Sequence, residues 1–197
     1  SMDWVQTLPG NYQGTFFVLS EFNGSIISAE TSPSLTILSA TQGETSVVSG
    51  NAVALSDAPS VSGDGTTVAY ESLIGGISQI FLWNESGNLI QVTNGNAGSF
   101  APAISADGRY VAYYSYADNI VAGDDNSLSD IFVFDSANSS NRRISIDPSS
   151  GDADGGSFYP AIDGNGSKVV FESFATNFTT DPNPGFSDIY VFDLKAE

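Results

Sequence analysis

The chain repeats itself: two stretches of sequence align without a gap at a constant offset of 58 residues. The first runs from Ser99 to Asp135 and the second from Ser157 to Asp193. Both contain, in the same order, a Pro-Ala-Ile segment, a turn, an apolar segment that ends in Ser, an Asp/Asn-rich loop and an Asp-Ile-aromatic-Val-Phe-Asp segment. A repeat of this size predicts one supersecondary unit that is stacked several times along the chain.

Two further copies precede these stretches. Pro59–Ser72 matches the start of the later copies, and Gln79–Trp83 matches their Asp-Ile segment with eight fewer residues in between. A weaker copy opens the chain, in which Thr15–Ser20 resembles the second segment, Thr67–Ser72, of the next copy. Counting these, the sequence predicts a two-residue remnant of an expression tag and four repeats, at about 3–55, 56–98, 99–156 and 157–197.

Each copy is predicted to form four short antiparallel strands. In the third copy these are Pro102–Ile104, Tyr110–Ser115, Asp130–Phe134 and Arg142–Ser145, and an Asp107-Gly108 pair joins the first two. Asp-Gly is typical of tight hairpin turns, and the strand segments are rich in aromatic and β-branched residues. Four-stranded antiparallel units that recur every 40 to 60 residues are typical of β-propeller blades, so the predicted fold class is an all-β propeller of about four blades.

The repeated motif reads Pro-x-Φ-Ser-x-Asp-Gly-x-x-Φ-Ala-Φ-x-Ser and then Asp-Ile-Φ-Val-Φ-Asp, where Φ is apolar. It resembles the WD40-like, TolB-type (PD40) propeller repeat over about residues 56–195, and weakly over 4–55. Departures from the motif are Asp163 in place of Ser, Asn165 in place of Asp, and Gln79 in place of Asp. The resemblance implies an exported bacterial protein in a periplasmic or extracellular setting, although the sequence shows no signal peptide.

Two forms of the ring are consistent with the sequence. The last copy ends after its third predicted strand, and Asp3–Leu8 could supply a fourth strand that closes a small four-bladed ring. Alternatively, the chain is a segment of a larger propeller. Open blade edges would then favour self-association, because unpaired strand edges recruit other strands.

Composition excludes several classes of function. The chain has no Cys and no His, so thiolate metal sites, His-ligated zinc and a Ser-His-Asp triad are not available. Five cations against 23 acidic residues give a formal charge of −18, which disfavours nucleic acid as a partner and favours cationic ones. No apolar run is long enough to predict membrane insertion.

The Asp/Asn-rich loops between the second and third strands of copies three and four are candidate calcium sites. Calcium prefers six to eight hard oxygen ligands, and these loops offer carboxylate, amide and carbonyl oxygens. Ordinary turn chemistry is the alternative, because Asp and Asn side chains also bond to their own backbone. The interblade segment with Asp152 and Asp154 is a weaker candidate. The predicted ligands in the two loops are Asp118, Asp124, Asn126, Asp130, Asp181, Asn183 and Asp188.

Tyr114 and Tyr116 are candidate ligand-binding residues. They lie two apart and therefore share one face of their predicted strand, where an exposed pair beside acids would suit a peptide or a sugar. Phe100, Phe158 and Tyr159 precede the Pro of their copies, and Tyr110 and Tyr113 lie near the tyrosine pair. Alternation predicts that some of these aromatic residues lie in the core between blades.

Two functions follow from the sequence. The first is a non-catalytic binding or scaffold module that recognises a protein, peptide or glycan at the propeller face and is stabilised by calcium if the loops bind it. The second is an enzyme or enzyme-associated propeller, either a carboxylate-pair glycosidase using Glu71 and Glu172 or the gating propeller of a serine peptidase. Nothing singles out a catalytic pair, so no catalytic or cofactor-binding residue is predicted and the chain is expected not to be an enzyme.

Overall fold

A computed structural model describes residues 17–22, 25–29, 35–39, 44–47, 56–180 and 185–195. Over these ranges the chain forms strands and turns, and none of it forms a helix capable of crossing a membrane. The strands are β1 (Phe17–Phe22), β2 (Ser25–Ala29), β3 (Leu35–Ser39), β4 (Glu44–Val47), β5 (Ser56–Val61), β6 (Thr67–Ile74), β7 (Ile77–Asn84), β8 (Leu89–Gln91), β9 (Ser99–Ile104), β10 (Tyr110–Ser115), β11 (Asp130–Asp135), β12 (Ser140–Arg143), β13 (Ser157–Ile162), β14 (Lys168–Ser173) and β15 (Asp188–Asp193).

The strands form antiparallel sheets in chain order, here called blades 1 to 4. Blades 1, 2 and 3 are four-stranded and consist of β1–β4, β5–β8 and β9–β12. Blade 4 has three strands among the described residues, β13–β15. The all-β fold of four-stranded antiparallel blades predicted from the repeat is confirmed.

In the first copy, the predicted assignment of Thr15–Ser20 to the second strand was wrong. Phe17–Phe22, which overlaps the segment assigned to the second strand, is the first strand of blade 1, and Ser25–Ala29 is the second. β2 is the neighbour of the third strand, because it pairs with β3 and places Ile27 opposite Ile37. The first copy lacks the Pro and Asp-Gly signature of the others, so its sequence contains no marker that separates the first strand from the second.

The predicted tight turns between first and second strands are present in blades 2, 3 and 4. Gly65, Gly108 and Gly166 have φ angles of 77°, 72° and 62°, in the left-handed region that glycine adopts without a steric penalty. The turns also link the blades, because the N–H of Gly63 donates to the carbonyl of Ala106 and the N–H of Ala106 donates to the carbonyl of Gly164, each at 2.9 Å.

The core lies between blades, because alternate residues of each strand point to opposite neighbours. Ile80 and Leu82 of blade 2 pack with Ile104, Val111 and Phe132 of blade 3 in one buried cluster. This arrangement buries one apolar face of blade 2 against the following blade.

Blade 3 repeats the arrangement one blade further along the chain. Ile131 and Val133 pack with Val169 and Phe171 of blade 4 in a second buried cluster. Each of these interfaces therefore consists of the second and third strands of one blade covered by the next blade.

A β-bulge interrupts the first strand of blades 2, 3 and 4 just before its proline. The bulged residues Ala58, Ala101 and Tyr159 have φ angles of 47°, 50° and 50°, which non-glycine residues rarely adopt. In blade 3 the bulge turns the N–H of Ala101 toward blade 2, where it donates to Oε1 of Glu71 at 2.7 Å. The bulge thus re-aims the first strand at the interface between blades.

A pair of equivalent isoleucines tests the interblade core. Ile131 has no solvent exposure and Ile189, its repeat equivalent in blade 4, is 72% exposed. We expect Ile131→Ala to lower the free energy of unfolding by about 2–5 kcal/mol, through lost burial and the cavity left behind. Ile189→Ala, the matched control, should change it by about 0.5 kcal/mol or less. Urea denaturation measures both, and equal losses would contradict the assignment of the core.

Candidate binding site at the loop end of the blades

The two ends of the blades differ in the length of their connections and in their charge. At the turn end, tight turns join first and second strands. At the opposite end, here called the loop end, second strands finish and third strands begin. Long segments, 116–129 and 174–187, connect them in blades 3 and 4, whereas Gly75-Gly76 suffices in blade 2. The predicted site residues that the structure describes all belong to this end.

Arg143 organises the acidic residues of blade 3. Its Nη1 atom lies 3.0 Å from Oδ1 of Asp124 and 3.6 Å from Oδ2 of Asp130, and its Nη2 atom lies 2.7 Å from Oδ1 of Asp152. Nη2 also donates to the carbonyl of Gly123 at 2.8 Å. Arg143 ends β12 and Asp130 begins β11, so the fold places this guanidinium where three carboxylates from three segments converge.

One guanidinium does not neutralise three carboxylates in a buried site. Burial, and then the neighbouring Asp130 carboxylate, raise the pKa of Asp124 from 3.8 to about 6, although Arg143 acts in the opposite direction. Burial also raises the pKa of Asp130, which accepts a hydrogen bond from the Ser145 hydroxyl. The protonated forms of these acids are therefore favoured more than in free solution.

Asn126 also lies at the Arg143 site: its side chain hydrogen-bonds to Asp130 and to the backbone of Ala153 and Leu128. Asp118 instead accepts a 2.6 Å hydrogen bond from Nδ2 of Asn96, and Asp188 begins β15 in blade 4. Asp181 and Asn183 lie outside the described residues. In the part of the chain that the structure describes, no group of three or more acidic side chains is arranged to hold a metal ion.

The weaker candidate segment has two structural roles. Asp152 pairs with Arg143. Asp154 accepts hydrogen bonds from the backbone and hydroxyl of Thr176 and from the backbone of Asn177, and the Thr176 hydroxyl is the main cause of its lowered pKa. Asp154 therefore ties the connection between blades 3 and 4 to the loop that follows β14.

The two predicted ligand-binding tyrosines lie in a larger group of rings that bridges blades 3 and 4. Tyr114 is at its centre, with ring centroids 5.4 Å from Phe100, 5.5 Å from Phe158, 5.7 Å from Tyr159 and 6.1 Å from Tyr116. Phe174 joins it through an edge contact with Phe158. This aromatic cluster comprises Phe100, Tyr114, Tyr116, Phe158, Tyr159 and Phe174.

Half of the aromatic cluster faces solvent. Tyr116, Tyr159 and Phe174 are 46%, 65% and 50% exposed. Alternation predicted that some of the aromatic residues, with Tyr159 among the candidates, lie in the core, and it did not single out Phe174. No sequence signal marks the exposure of Tyr159, because the bulge at which it adopts a left-handed φ is visible only in the structure.

Glu71 borders the aromatic cluster on the side of blade 2. Its carboxylate accepts hydrogen bonds from the N–H of Ala101 and from the hydroxyl of Ser78, and burial raises its pKa. Burial, followed by Tyr159, Tyr116 and Glu71, raises the pKa of Tyr114. The structure therefore brings Glu71 close to the cluster, while Glu172, the other member of the proposed carboxylate pair, lies on β14 of blade 4.

The loop end carries a strong excess of negative charge. Arg109 and Lys168 are at the turn end, where they pair with Asp135 and Asp193 at 2.8 Å. Two arginines end β12 near the loop end: Arg143 is buried, and Arg142 is exposed with its guanidinium over the ring of Phe192. The acidic residues described at the loop end are Asp57, Glu71, Asp118, Asp124, Asp125, Asp130, Asp147, Asp152, Asp154, Glu172 and Asp188.

The fold is similar to that of several solved β-propellers. A putative TolB from Agrobacterium tumefaciens is 20% identical, with a TM-score of 0.59 over 87% of this chain and 58% of that one. The tricorn protease is 15% identical, with a TM-score of 0.66 over 94% of this chain and 18% of that one. The propeller domain of the Trilobed protease from Pyrococcus furiosus is 11% identical, with a TM-score of 0.60 over 91% and 55%.

These similarities confirm the TolB-type propeller resemblance at the level of the fold. The chain spans little more than half of the TolB structure and much less of the tricorn protease. No protein-family model matches the sequence, and no curated protein is similar to it by sequence.

The Arg143 site predicts a pH dependence of stability. Because the pKa of Asp124 is about 6 in the folded chain and 3.8 is its ordinary value, the native state binds the proton more tightly. The free energy of unfolding should therefore rise as the pH falls from 7 to 5, by on the order of 1 kcal/mol from this group. Asp124→Asn should remove that part of the rise.

Asp125→Asn is the matched control, because it removes the same charge from an exposed neighbour. Denaturation at pH 5 and pH 7 measures all three proteins. A pH dependence that Asp124→Asn leaves unchanged would contradict the assignment of the raised pKa to the Arg143 site.

Calcium binding to the acidic loops stays a prediction. The Arg143 site leaves a surplus of negative charge that a calcium ion would offset. A ligand that binds only the folded state raises the melting temperature by mass action. Metal-stripped protein melted with millimolar calcium should then melt at a higher temperature than with magnesium. An equal or absent shift would leave the loops as turns held by Arg143 and by hydrogen bonds.

Proposed function

We propose that the chain is a non-catalytic binding module of an exported bacterial protein, and that it binds a protein or peptide segment at its loop end. The observation that carries this proposal is the aromatic cluster, in which exposed rings stand on an acidic surface. The ligand suited to this surface is a segment with apolar or aromatic side chains flanked by Lys or Arg.

Aromatic rings supply most of the binding free energy at many protein interfaces, because they bury a large area and lose little conformational entropy. Here Tyr114 packs against four other rings, which holds the exposed Tyr116 and Tyr159 in place before a ligand arrives. A preorganised surface of this kind loses less entropy on binding than flexible side chains would.

The charge of the loop end selects among ligands. A negative potential speeds the association of cationic segments and disfavours acidic ones, whereas a neutral glycan gains nothing from it. This supports a basic peptide segment over the glycan that the sequence left open.

The perturbed acids support a binding role over catalysis. Asp124 and Asp130 contact Arg143, and Glu71 accepts hydrogen bonds from Ala101 and Ser78. A catalytic carboxyl pair would instead need to flank a substrate bond. Each of these carboxylates already has an internal partner that explains its position.

A propeller that accompanies a peptidase is the second candidate. It is favoured by the similarity in fold to the tricorn protease and to the propeller domain of the Trilobed protease. In that role the aromatic cluster would contact peptide substrates, and hydrolysis would take place in a separate domain.

Binding of a charged peptide pair tests the proposal. A fluorescent decapeptide with five lysines and two tryptophans should bind, and an analogue with glutamate in place of lysine should not. Tyr116→Ala combined with Tyr159→Ala should weaken binding of the lysine peptide about tenfold, because the exposed rings are removed. Leu89→Ala, at another exposed apolar residue, is the matched control. Fluorescence anisotropy measures the dissociation constants, with a glycan array in parallel.

Equal binding of both peptides, or no loss in the double variant, would contradict a basic ligand at the aromatic cluster. Glycan binding without peptide binding would favour the glycan alternative. Weaker binding at higher salt is expected, because the attraction is partly electrostatic.

A further inference from the structure

A cleft of about 220 Å³ opens at the turn end, between blades 2 and 3. Leu82 and Ile90 form the apolar part of its lining, where Leu82 belongs to the core cluster that joins these two blades and Ile90 packs against it. The polar part of the lining consists of side chains from both blades, namely Thr67, Asn84, Asn88 and Ser136. The cleft therefore lies at the opposite end of the blades from the aromatic cluster and is separate from it.

In the next copy of the repeat, an aromatic ring fills the equivalent space. Tyr110 begins β10 of blade 3 as Thr67 begins β6 of blade 2, and a Cβ atom on Gly166 of blade 4 would overlap the Tyr110 ring. Between blades 2 and 3, a Cβ atom on Gly108, the equivalent of Gly166, would instead lie 3.0 Å from Oγ1 of Thr67. Because threonine is much smaller than tyrosine, the interface between blades 2 and 3 keeps an unfilled volume at this position.

A second difference between the copies opens the same cleft. Ser136 and Leu194 follow the third strands of blades 3 and 4, and their N–H groups donate to equivalent carbonyls, those of Arg109 and Ser167. Leu194 packs against the buried cluster between blades 3 and 4, whereas Ser136 lines the cleft. The backbone is thus arranged alike at the two interfaces, and the smaller side chains account for the cleft.

The polar groups of the cleft are available to a ligand. The hydroxyls of Thr67 and Ser136 and the side-chain amide of Asn88 make no hydrogen bond to any described residue. Asn84 accepts the N–H of Asn88 through its Oδ1 atom at 3.1 Å, which leaves its Nδ2 group free to donate. Hydroxyls and amides both donate and accept, so the lining offers both kinds of group. No charged side chain is among the lining residues, although the chain has 23 acidic residues and five cations.

Hydrogen bonds to the backbone hold the walls of the cleft in place. The N–H of Gly108 donates to the carbonyl of Ser105 at 2.9 Å, and the N–H of Ser136 donates to the carbonyl of Arg109 at 3.0 Å. The bond from Asn88 to Asn84 fixes the opposite wall. A cleft whose walls are already ordered loses little conformational entropy when a ligand binds.

We propose that this cleft binds a single neutral sugar ring, independently of the peptide site proposed at the loop end. The hydroxyls of a sugar can pair with the unpartnered hydroxyls and amides, while its C–H groups pack on Leu82 and Ile90.

The lining disfavours other classes of ligand. A charged ligand would find no opposite charge to offset its desolvation, and an apolar ligand would bury the hydroxyls and amides without partners. The volume is below the roughly 300 Å³ at which sites for drug-sized ligands begin, so one ring fits better than an oligosaccharide or a peptide.

Nuclear magnetic resonance of the isotope-labelled chain tests the proposal. Glucose, galactose, mannose and N-acetylglucosamine are the neutral probes, and glucuronate is the charged counterpart. We expect at least one neutral sugar to shift the side-chain amide signals of Asn84 and Asn88 saturably at millimolar concentrations. Glucuronate should bind more weakly than glucose.

Thr67→Tyr gives blade 2 the residue that fills this space in blade 3. It should weaken binding of the sugar about tenfold or more, because the ring occupies the cleft. Ser136→Leu, which introduces the residue of blade 4, should also weaken it. The matched control is Lys168→Tyr, which adds the same ring at the equivalent position of blade 4, where the lysine side chain is 54% exposed. The control should leave the affinity unchanged.

Three results would overturn the proposal. The first is that none of the four neutral sugars shifts the two asparagine signals at tens of millimolar. The second is that folded Thr67→Tyr and Ser136→Leu both bind the sugar as the unmodified chain does. The third is that Tyr116→Ala combined with Tyr159→Ala abolishes sugar binding, which would assign the sugar to the aromatic cluster. Loss of the lysine peptide alone in that double variant concerns the loop end and leaves sugar binding at the cleft intact.

Discussion

The structure depends on one constraint: the apolar face formed by the second and third strands of a blade is buried only by the blade that follows. Ile80 and Leu82 reach the core through blade 3, and Ile131 and Val133 reach it through blade 4. The turn end strengthens each junction with a backbone hydrogen bond from one blade to the next. Stability in such an array is a sum of blade and junction terms, as in other repeat proteins. Among the described residues no strand covers the corresponding face of blade 4, where Ile189 and Val191 are exposed.

The distribution of charge differs between the turn end and the loop end of the blades. The turn end pairs its cations with nearby acids, as Arg109 does with Asp135. At the loop end Arg143 is instead buried among three carboxylates. Acidic residues therefore outnumber cations on the surface around the aromatic cluster. Buried ion networks of this kind add little net stability, because desolvation offsets the attraction between the charges. The network does hold the loop at Asp124 and the connection between blades 3 and 4 at Asp152.

Much of the fold was predictable from the sequence, because copies two to four repeat the same strand and turn motifs in the same order. A residue that departs from the repeated motif can still make the same hydrogen bond. Asp163 accepts the N–H of Lys168 at 3.0 Å, as Ser105 accepts that of Tyr110. The group that pairs with the acidic residues of the loop was not predictable in the same way. Asp-rich spacing predicts a bound cation, and in the structure the guanidinium of Arg143, from a separate strand, pairs with these carboxylates. Nor does alternation reveal which rings remain exposed, since a bulge interrupts the strand at Tyr159, whose ring is 65% exposed.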